Sequence, residues 1–461
     1  MRALPLILAA VILAGCTIGP DYSRPDVALP GNFPGGTAQS SPVIDSQWWT
    51  LYGDPRLNEL VTSALERNAD IRVAIGRVEE TDAQLREAGV AFLPEIDLGT
   101  SGTRQRFSTT QATPVFAGVP IIRNNVRLAL TTAFEIDFWG RLRRTVEAAR
   151  ALALGSRYAK DVVSLTVASL TTQAYFSLRS LDAQVAITRS TLSSRDEALD
   201  LVRKRAAGGI ASDLELNQAE AARADSSIQL RELERQRELV VHQLSTLAGR
   251  LDLTVPSGDL LAMPVPPLPP AGLPSELIAR RPDIQQAEQQ LVSANAQIGV
   301  ARAALFPSLS LTGALGGESR SFGQLLDSGS RIWSFGFGLT VPIFDWGRIN
   351  ARVDQAQARE HQLVASYQRS IETGFREVAD ALTTSQKTGE AEEDLRVRAE
   401  ASRNALRLAR LRYDAGYSGF LEVLDAQRTL NEAELAVVRN RQVRLSASVD
   451  LMKALGGGWR P

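Results

Sequence analysis

Between Trp333 and Ile343 apolar and polar positions alternate without a break: Trp333, Phe335, Phe337, Leu339, Val341 and Ile343 fall on one side, and Ser334, Gly336, Gly338, Thr340 and Pro342 on the other. A period of two points successive side chains to opposite faces, so the pattern predicts a strand with one apolar face. The preceding segment, 308–316, sets Leu309, Leu311 and Leu315 against Ser308, Ser310, Thr312 and Ala314. Earlier in the chain, Val126, Leu128, Leu130, Phe134, Ile136 and Phe138 alternate with Arg127, Ala129, Thr131, Ala133, Glu135 and Asp137. Four strands in two hairpins follow, 95–102 with 126–137 and 308–316 with 333–343.

A half-buried sheet in a soluble protein has the same period. What favours a membrane is the ends: Trp333 lies at one rim and Phe138, Trp139, Phe344 and Trp346 at the other, like the two aromatic girdles of an outer-membrane barrel. The eleven residues of 333–343 suit a tilted spanning strand. Four strands cannot close a barrel, and an open edge in hydrocarbon leaves backbone groups unpaired at several kcal/mol each. Eight strands from a dimer would fill with side chains, whereas three copies give twelve and leave a passage. The expectation is a homotrimer.

The rest of the chain reads as helix of unusual length. No proline interrupts 141–207, 212–248, 350–414 or 420–455, and 67 residues reach about 100 Å at about 1.5 Å each. Leu230, Leu233, Val240, Leu244 and Leu247 form one narrow apolar seam, and Leu435, Val438, Leu445, Val449 and Met452 another. Between them lie Ala, Gln, Arg and Glu, which is a coiled-coil pattern with a broad wet face. A helical cytosolic scaffold would show the same pattern, and taken alone these helices favour that reading.

The plan occurs twice. Trp139-Gly140-Arg141 recurs as Trp346-Gly347-Arg348, and the offset of 207 persists from Gly209 and Gly416 to Gly249 and Gly456. Upstream, Pro94 pairs with Pro307 at an offset of 213, so only the first hairpin loop differs in length. The boundaries expected are a first repeat at 16–254, with its β-hairpin at 95–137, and a second at 275–461, with its hairpin at 308–344. The proline-rich stretch 255–274 between them cannot continue a helix and reads as an extended crossover.

The first fifteen residues add a location. Met1-Arg2, an apolar run too short to span a bilayer, and Leu13-Ala14-Gly15-Cys16 have the layout of a secretory signal peptide ending at the chain's single cysteine. The run resembles bacterial lipoprotein signals, which implies cleavage before Cys16 and its acylation; Thr17 in the next position implies sorting to the outer membrane. Lys and Arg total 51 against 52 Asp and Glu, which removes the electrostatic case for nucleic acid. His242 and His361 stand on long helices without a ligand partner at i+3 or i+4, so neither a metal site nor enzyme chemistry is expected.

Together Cys16, Asp21-Tyr22-Ser23-Arg24-Pro25, Trp48-Trp49, 134–141 (FEIDFWGR), 412–417 (RYDAGY), Leu424-Asp425-Ala426-Gln427-Arg428 and the ending 454–459 (ALGGGW) resemble outer membrane factors of the TolC/OprM type, NodT subgroup. The resemblance covers essentially the whole mature chain. It implies a membrane α+β fold: a homotrimeric twelve-stranded β-barrel in outer-membrane lipid, continuing into a periplasmic α-helical barrel. The partners implied are a periplasmic adaptor protein and an inner-membrane transporter, usually of the resistance-nodulation-division class, and no cofactor. The function implied is efflux of small molecules; type I protein secretion uses similar ducts.

The same resemblance assigns roles to particular residues. The helix-hairpin turns, with Gly208, Gly209 and Ile210 in the first and Gly416 and Tyr417 in the second, become the tips that contact the adaptor. Leu421, Glu422 and Asp425 become the periplasmic gate, where threefold copies form an apolar ring beside carboxylate rings. Tyr413 and Glu215 match two positions of a closing lock, but the family's arginine is Ser418 here. Closure then rests on Tyr413 bonding Glu215, on the Leu421 ring, or on contacts the sequence does not reveal.

Overall fold

The computed structural model describes residues 17–33, 45–110, 118–267 and 274–458. The signal segment and Cys16 lie outside the described residues, as do 268–273 of the proline-rich crossover. The chain divides into two compact units, one built from Met1–Pro25, Glu79–Gly155 and Ala287–Ser366, the other from Asp26–Val78, Ser156–Gln286 and Tyr367–Pro461. The α-helices are α1 (Pro55–Arg67), α2 (Ala69–Val90), α3 (Arg141–Ala207), α4 (Asp213–Leu247), α5 (Pro274–Arg280), α6 (Pro282–Ala303), α7 (Arg348–Asp414) and α8 (Phe420–Ala454). The strands are β1 (Glu95–Arg106), β2 (Ile122–Ile136), β3 (Ser308–Ser319) and β4 (Arg331–Thr340).

The first unit contains one antiparallel sheet in the order β1-β2-β3-β4. Its register aligns Leu98, Leu130, Leu315 and Trp333 in one row, with Phe134, Leu311 and Phe337 in a second row on the same face. The opposite face carries Asp97, Thr131 and Ala314 in one row and Glu135, Ser310 and Gly338 in another. Alternation within each strand therefore becomes a sheet with one apolar and one polar or small face. β1 and β2 extend four residues beyond the expected hairpin, through pairs such as Arg104 with Asn124 and Gln105 with Arg123. Apart from Ile122 opposite Arg106, those added residues are polar on both faces, so the alternation used to find the strands could not register them.

The segment after Cys16 is strapped to the same unit. Ile18 N–H donates to the Trp139 carbonyl at 3.0 Å. Gly19, at φ +109°, lies so close to Gly299 that a Cβ would come within 2.5 Å of its Cα. Asp21 pairs with Arg144 at 2.7 Å, and Glu288 accepts from the Tyr22 hydroxyl at 3.1 Å and from Arg24 at 2.8 and 2.9 Å.

The second unit packs the helix hairpins around a core that includes Trp48, Tyr52, Phe176, Leu178, Leu244, Leu445 and Val449. The Tyr52 hydroxyl bonds Ser448 Oγ at 2.7 Å, and its ring meets Phe176 edge-on at 4.9 Å. Burial pushes the Tyr52 phenol well above the ordinary tyrosine range. The described part of the crossover lies on this core: Arg237 and Arg441 donate to the carbonyls of Val255 and Met263, and Leu260 and Met263 are buried.

The duplication is legible atom by atom at the ends of the hairpins opposite their turns. Gly249 and Gly456 both adopt positive φ, and a Cβ on either would strike the chain at Arg67 or Arg280, positions related by the 213 offset. Beside them Asn68 Nδ2 donates to the Leu247 carbonyl at 3.1 Å and Arg281 Nη1 to the Ala454 carbonyl at 3.0 Å. Different side chains satisfy the same exposed helix-end acceptor.

Candidate functional site

Both helix hairpins reverse through the same hydrogen-bond pattern. In the first, Gly209 N–H donates to Ala206 O and Ile210 N–H to Arg205 O; in the second, Gly416 N–H donates to Tyr413 O and Tyr417 N–H to Arg412 O. These paired bonds are the Schellman closure, which needs a left-handed residue after the helix. Gly209 and Gly416 supply it at φ +71° and +79°. The closure leaves the next side chain pointing into solvent: Ile210 is 80% exposed and Tyr417 81%.

Just behind the turns the two hairpins pack on one another. Leu199, Val202 and Ala219 of the first share an apolar cluster with Leu406, Tyr413, Phe420 and Val423 of the second. Tyr413 is buried there, its ring 5.4 Å from that of Phe420. The Arg205 guanidinium lies over the Tyr413 ring at 4.7 Å, a cation–π contact between the hairpins.

Of the expected gate residues, Leu421, Glu422 and Asp425 project outward from the first turns of α8. Neither carboxylate is alone: Asp425 accepts from Arg428 at 2.8 Å, and Glu422 stands 3.8 Å from Arg412. Tyr413 and Glu215 are not hydrogen-bonded to one another in this protomer. Glu215 Oε2 instead accepts from Ser212 N–H at 3.2 Å while Ser212 Oγ accepts from Glu215 N–H, a capping box that begins α4. Ser212 and Glu215 at this spacing are themselves the sequence signature of that box, so the competing use was readable. Arg205 was not, because its partner is 208 residues away.

At the aromatic rim the two tryptophans diverge. Trp139 turns inward, donating from Nε1 to the Pro307 carbonyl at 2.8 Å and packing on Phe306. Trp346, its repeat equivalent, is 88% exposed and contacts Phe344 at 4.5 Å. Only the second therefore serves as an outward girdle residue, because the first is held by its own backbone acceptor.

The apolar sheet face decides what kind of surface this is. Trp333 is 80% exposed, and Ile96, Leu98, Leu315, Phe335, Phe337 and Leu339 are exposed with it. A contiguous apolar face of this kind does not persist in water. The family model for outer membrane efflux proteins matches residues 60–250 and 273–457. The chain belongs to that family. Outer membrane protein OprJ of Pseudomonas aeruginosa is 37% identical, over 98% of this chain and 95% of its own length. The toluene efflux pump outer membrane protein TtgF of Pseudomonas putida is 35% identical, over 98% and 96%. Among solved structures, the open state of the Neisseria gonorrhoeae MtrE outer membrane channel superposes with a TM-score of 0.84 at 33% identity, covering 96% of this chain and 98% of that one.

This outer membrane efflux protein is accordingly an outer-membrane channel component of an efflux pump. Its fold class, α+β with barrel strands followed by long periplasmic helices, is that of the channels it resembles. The apolar face of the sheet is the face toward lipid, and the face carrying Asp97, Arg127 and Glu135 is the face toward the lumen.

Proposed function

We propose that three copies of the chain close a twelve-stranded barrel and conduct small apolar or amphiphilic compounds handed over by an adaptor and an inner-membrane transporter. The observation that carries this reading is a sheet with exposed apolar side chains and two unpaired edges, β1 and β4, in one protomer. Hydrocarbon tolerates neither edge, so β4 of one copy pairs with β1 of the next until the ring closes. The toluene and antibiotic pumps named among its relatives support small-molecule cargo rather than protein, and passive conduction needs no catalytic residue.

The tips carry the contact with the adaptor. Gly208, Gly209 and Ile210 in one turn and Gly416 and Tyr417 in the other present one exposed apolar side chain each, on a rigid reversal, which suits a docking knob. Leu421, Glu422 and Asp425 form the periplasmic constriction, with Arg412 and Arg428 offsetting part of its negative charge. In place of the Tyr413 to Glu215 bond, the Arg205 to Tyr413 stack holds the hairpins together. Acylation of Cys16 anchors the chain beside its own barrel, since Thr17 packs against Gly140 at the sheet's base.

Fractionation and seminative electrophoresis test the assembly. A heat-modifiable trimer retained in outer membrane after alkaline carbonate is expected; a monomer released by carbonate would overturn it.

A further inference from the structure

The repeat offset of 207 pairs Trp139, Gly140 and Arg141 with Trp346, Gly347 and Arg348, yet the two copies are satisfied differently. Arg141 is neutralised by Glu135 through bonds of 2.8 and 2.6 Å. The residue at the matching place in the second copy is Pro342, since 135 + 207 = 342. Among the described residues neither Arg348 nor Arg352 has a carboxylate within ion-pair distance, and both are exposed. Trp139 has the Pro307 carbonyl, whereas Trp346 faces solvent.

Arg348 and Arg352 border one groove of about 870 Å³ at the base of the sheet, lined also by Glu135, Arg141, Ile343 and Phe344. Ile343 is 93% exposed and lies three residues past the end of β4, whose odd-numbered apolar face bears Phe337 and Leu339. The acidic groups of the groove are already engaged: Glu135 by Arg141, Asp137 by Arg143 at 3.2 Å, and Asp345 by the N–H groups of Gly347 and Ile349 at 3.0 and 2.8 Å. Two free guanidiniums thus stand where a lipid-facing surface ends.

We propose that this groove binds a phospholipid, its phosphate held by Arg348 and Arg352 and its acyl chains lying along Ile343, Phe344 and the lower part of β4. Guanidinium and phosphate are complementary in charge and geometry, and Ile343 and Phe344, exposed just past the end of β4, offer apolar surface beside them. The exposed Trp346 stands at headgroup level, the position amphipathic rings prefer. The first-copy residues Arg141 and Trp139 line the same groove but are already engaged by Glu135 and the Pro307 carbonyl, which leaves the phosphate to the second copy's guanidiniums. The inference rests on the reading of the sheet as lipid-embedded.

Native mass spectrometry of the intact trimer tests it, with phosphatidylglycerol and a diacylglycerol of identical chains as probes. Retention of phosphatidylglycerol at about tenfold lower concentration than diacylglycerol is expected, with that preference abolished in R348Q/R352Q. Equal retention of the two lipids, retention of neither, or a preference unchanged in the double variant overturns it, as does displacement by inorganic phosphate as readily as by the lipid. Should the variant not assemble, the two probes on the unmodified trimer decide. A variant that stays a carbonate-resistant trimer but keeps its lipid sinks the site alone, whereas a carbonate-soluble wild-type chain sinks the membrane reading.

Discussion

The Arg281 guanidinium donates to the Ala454 carbonyl at 3.0 Å and so closes the last turn of α8 from outside the helix. The same side chain binds Asp283 at 2.6 Å and Glu377 at 2.7 Å, and it is almost wholly buried. R281A leaves a carbonyl and two carboxylates without their donor. A loss of about 2 kcal/mol is expected, below the cost of a fully buried pair because both acids are partly exposed. N68A, at the equivalent position, removes one neutral donor and the Oδ1 that caps α2 by accepting from Asp70 N–H at 2.8 Å, and should cost less, about 1.5 kcal/mol. Equal thermal transitions for the two variants would contradict this account of the helix ends.

Asp450 accepts from Gln173 at 2.6 Å, and partial desolvation at this exposed position pushes its carboxyl above the ordinary aspartate value of 3.8. The unfolded chain ionises at lower pH than the folded one, so folding holds the proton more tightly. The penalty is absent below the unfolded value, grows as pH rises between the two values and is complete above the folded one. D450N should therefore raise the thermal midpoint at pH 7 by a degree or so, on the order expected for a fraction of a kcal/mol, and the gain should vanish near pH 3. A gain independent of pH counts against the titration.

The gate reading makes a conductance prediction. L421A/D425A removes the apolar ring and one carboxylate ring and should raise leak current through trimers in planar bilayers. R205A, which removes the stack on Tyr413 at 4.7 Å, should raise it also, whereas E215Q should alter only the capping box of α4. If all three match wild type, the constriction lies elsewhere.

Adaptor contact is tested at the tips. I210D and Y417D put charge on two exposed apolar knobs without touching the glycines that form the turns. Outer-membrane levels should stay unchanged while efflux and adaptor cross-linking fall at least about tenfold, as when an interface anchor is lost. Undiminished cross-linking would remove these residues from the interface.

The two faces of the sheet are separable by one substitution each. F337R places a charge toward lipid and should cost about 2–4 kcal/mol, read as loss of heat-modifiable trimer. S334K projects into the lumen and should leave assembly intact while shifting ion selectivity. Equal tolerance of both variants would undo the assignment of faces.

What the sequence by itself determined is whatever repeats at short range or at fixed offset. Strand alternation assigned Phe337 and Ser334 to opposite faces, the proline-free runs located the long helices, and Gly209 and Gly416 marked the turns. Each of these is a local property: a period of two, a broken helix, a left-handed residue. The tertiary structure alone decided which partner each copy of a repeated motif obtains. Trp139 finds the Pro307 carbonyl, 168 residues away, while Trp346 faces outward, and Arg205 crosses to Tyr413 on the other hairpin. Such choices depend on side chains hundreds of residues apart meeting within a few ångströms, and no periodicity along the chain encodes that distance.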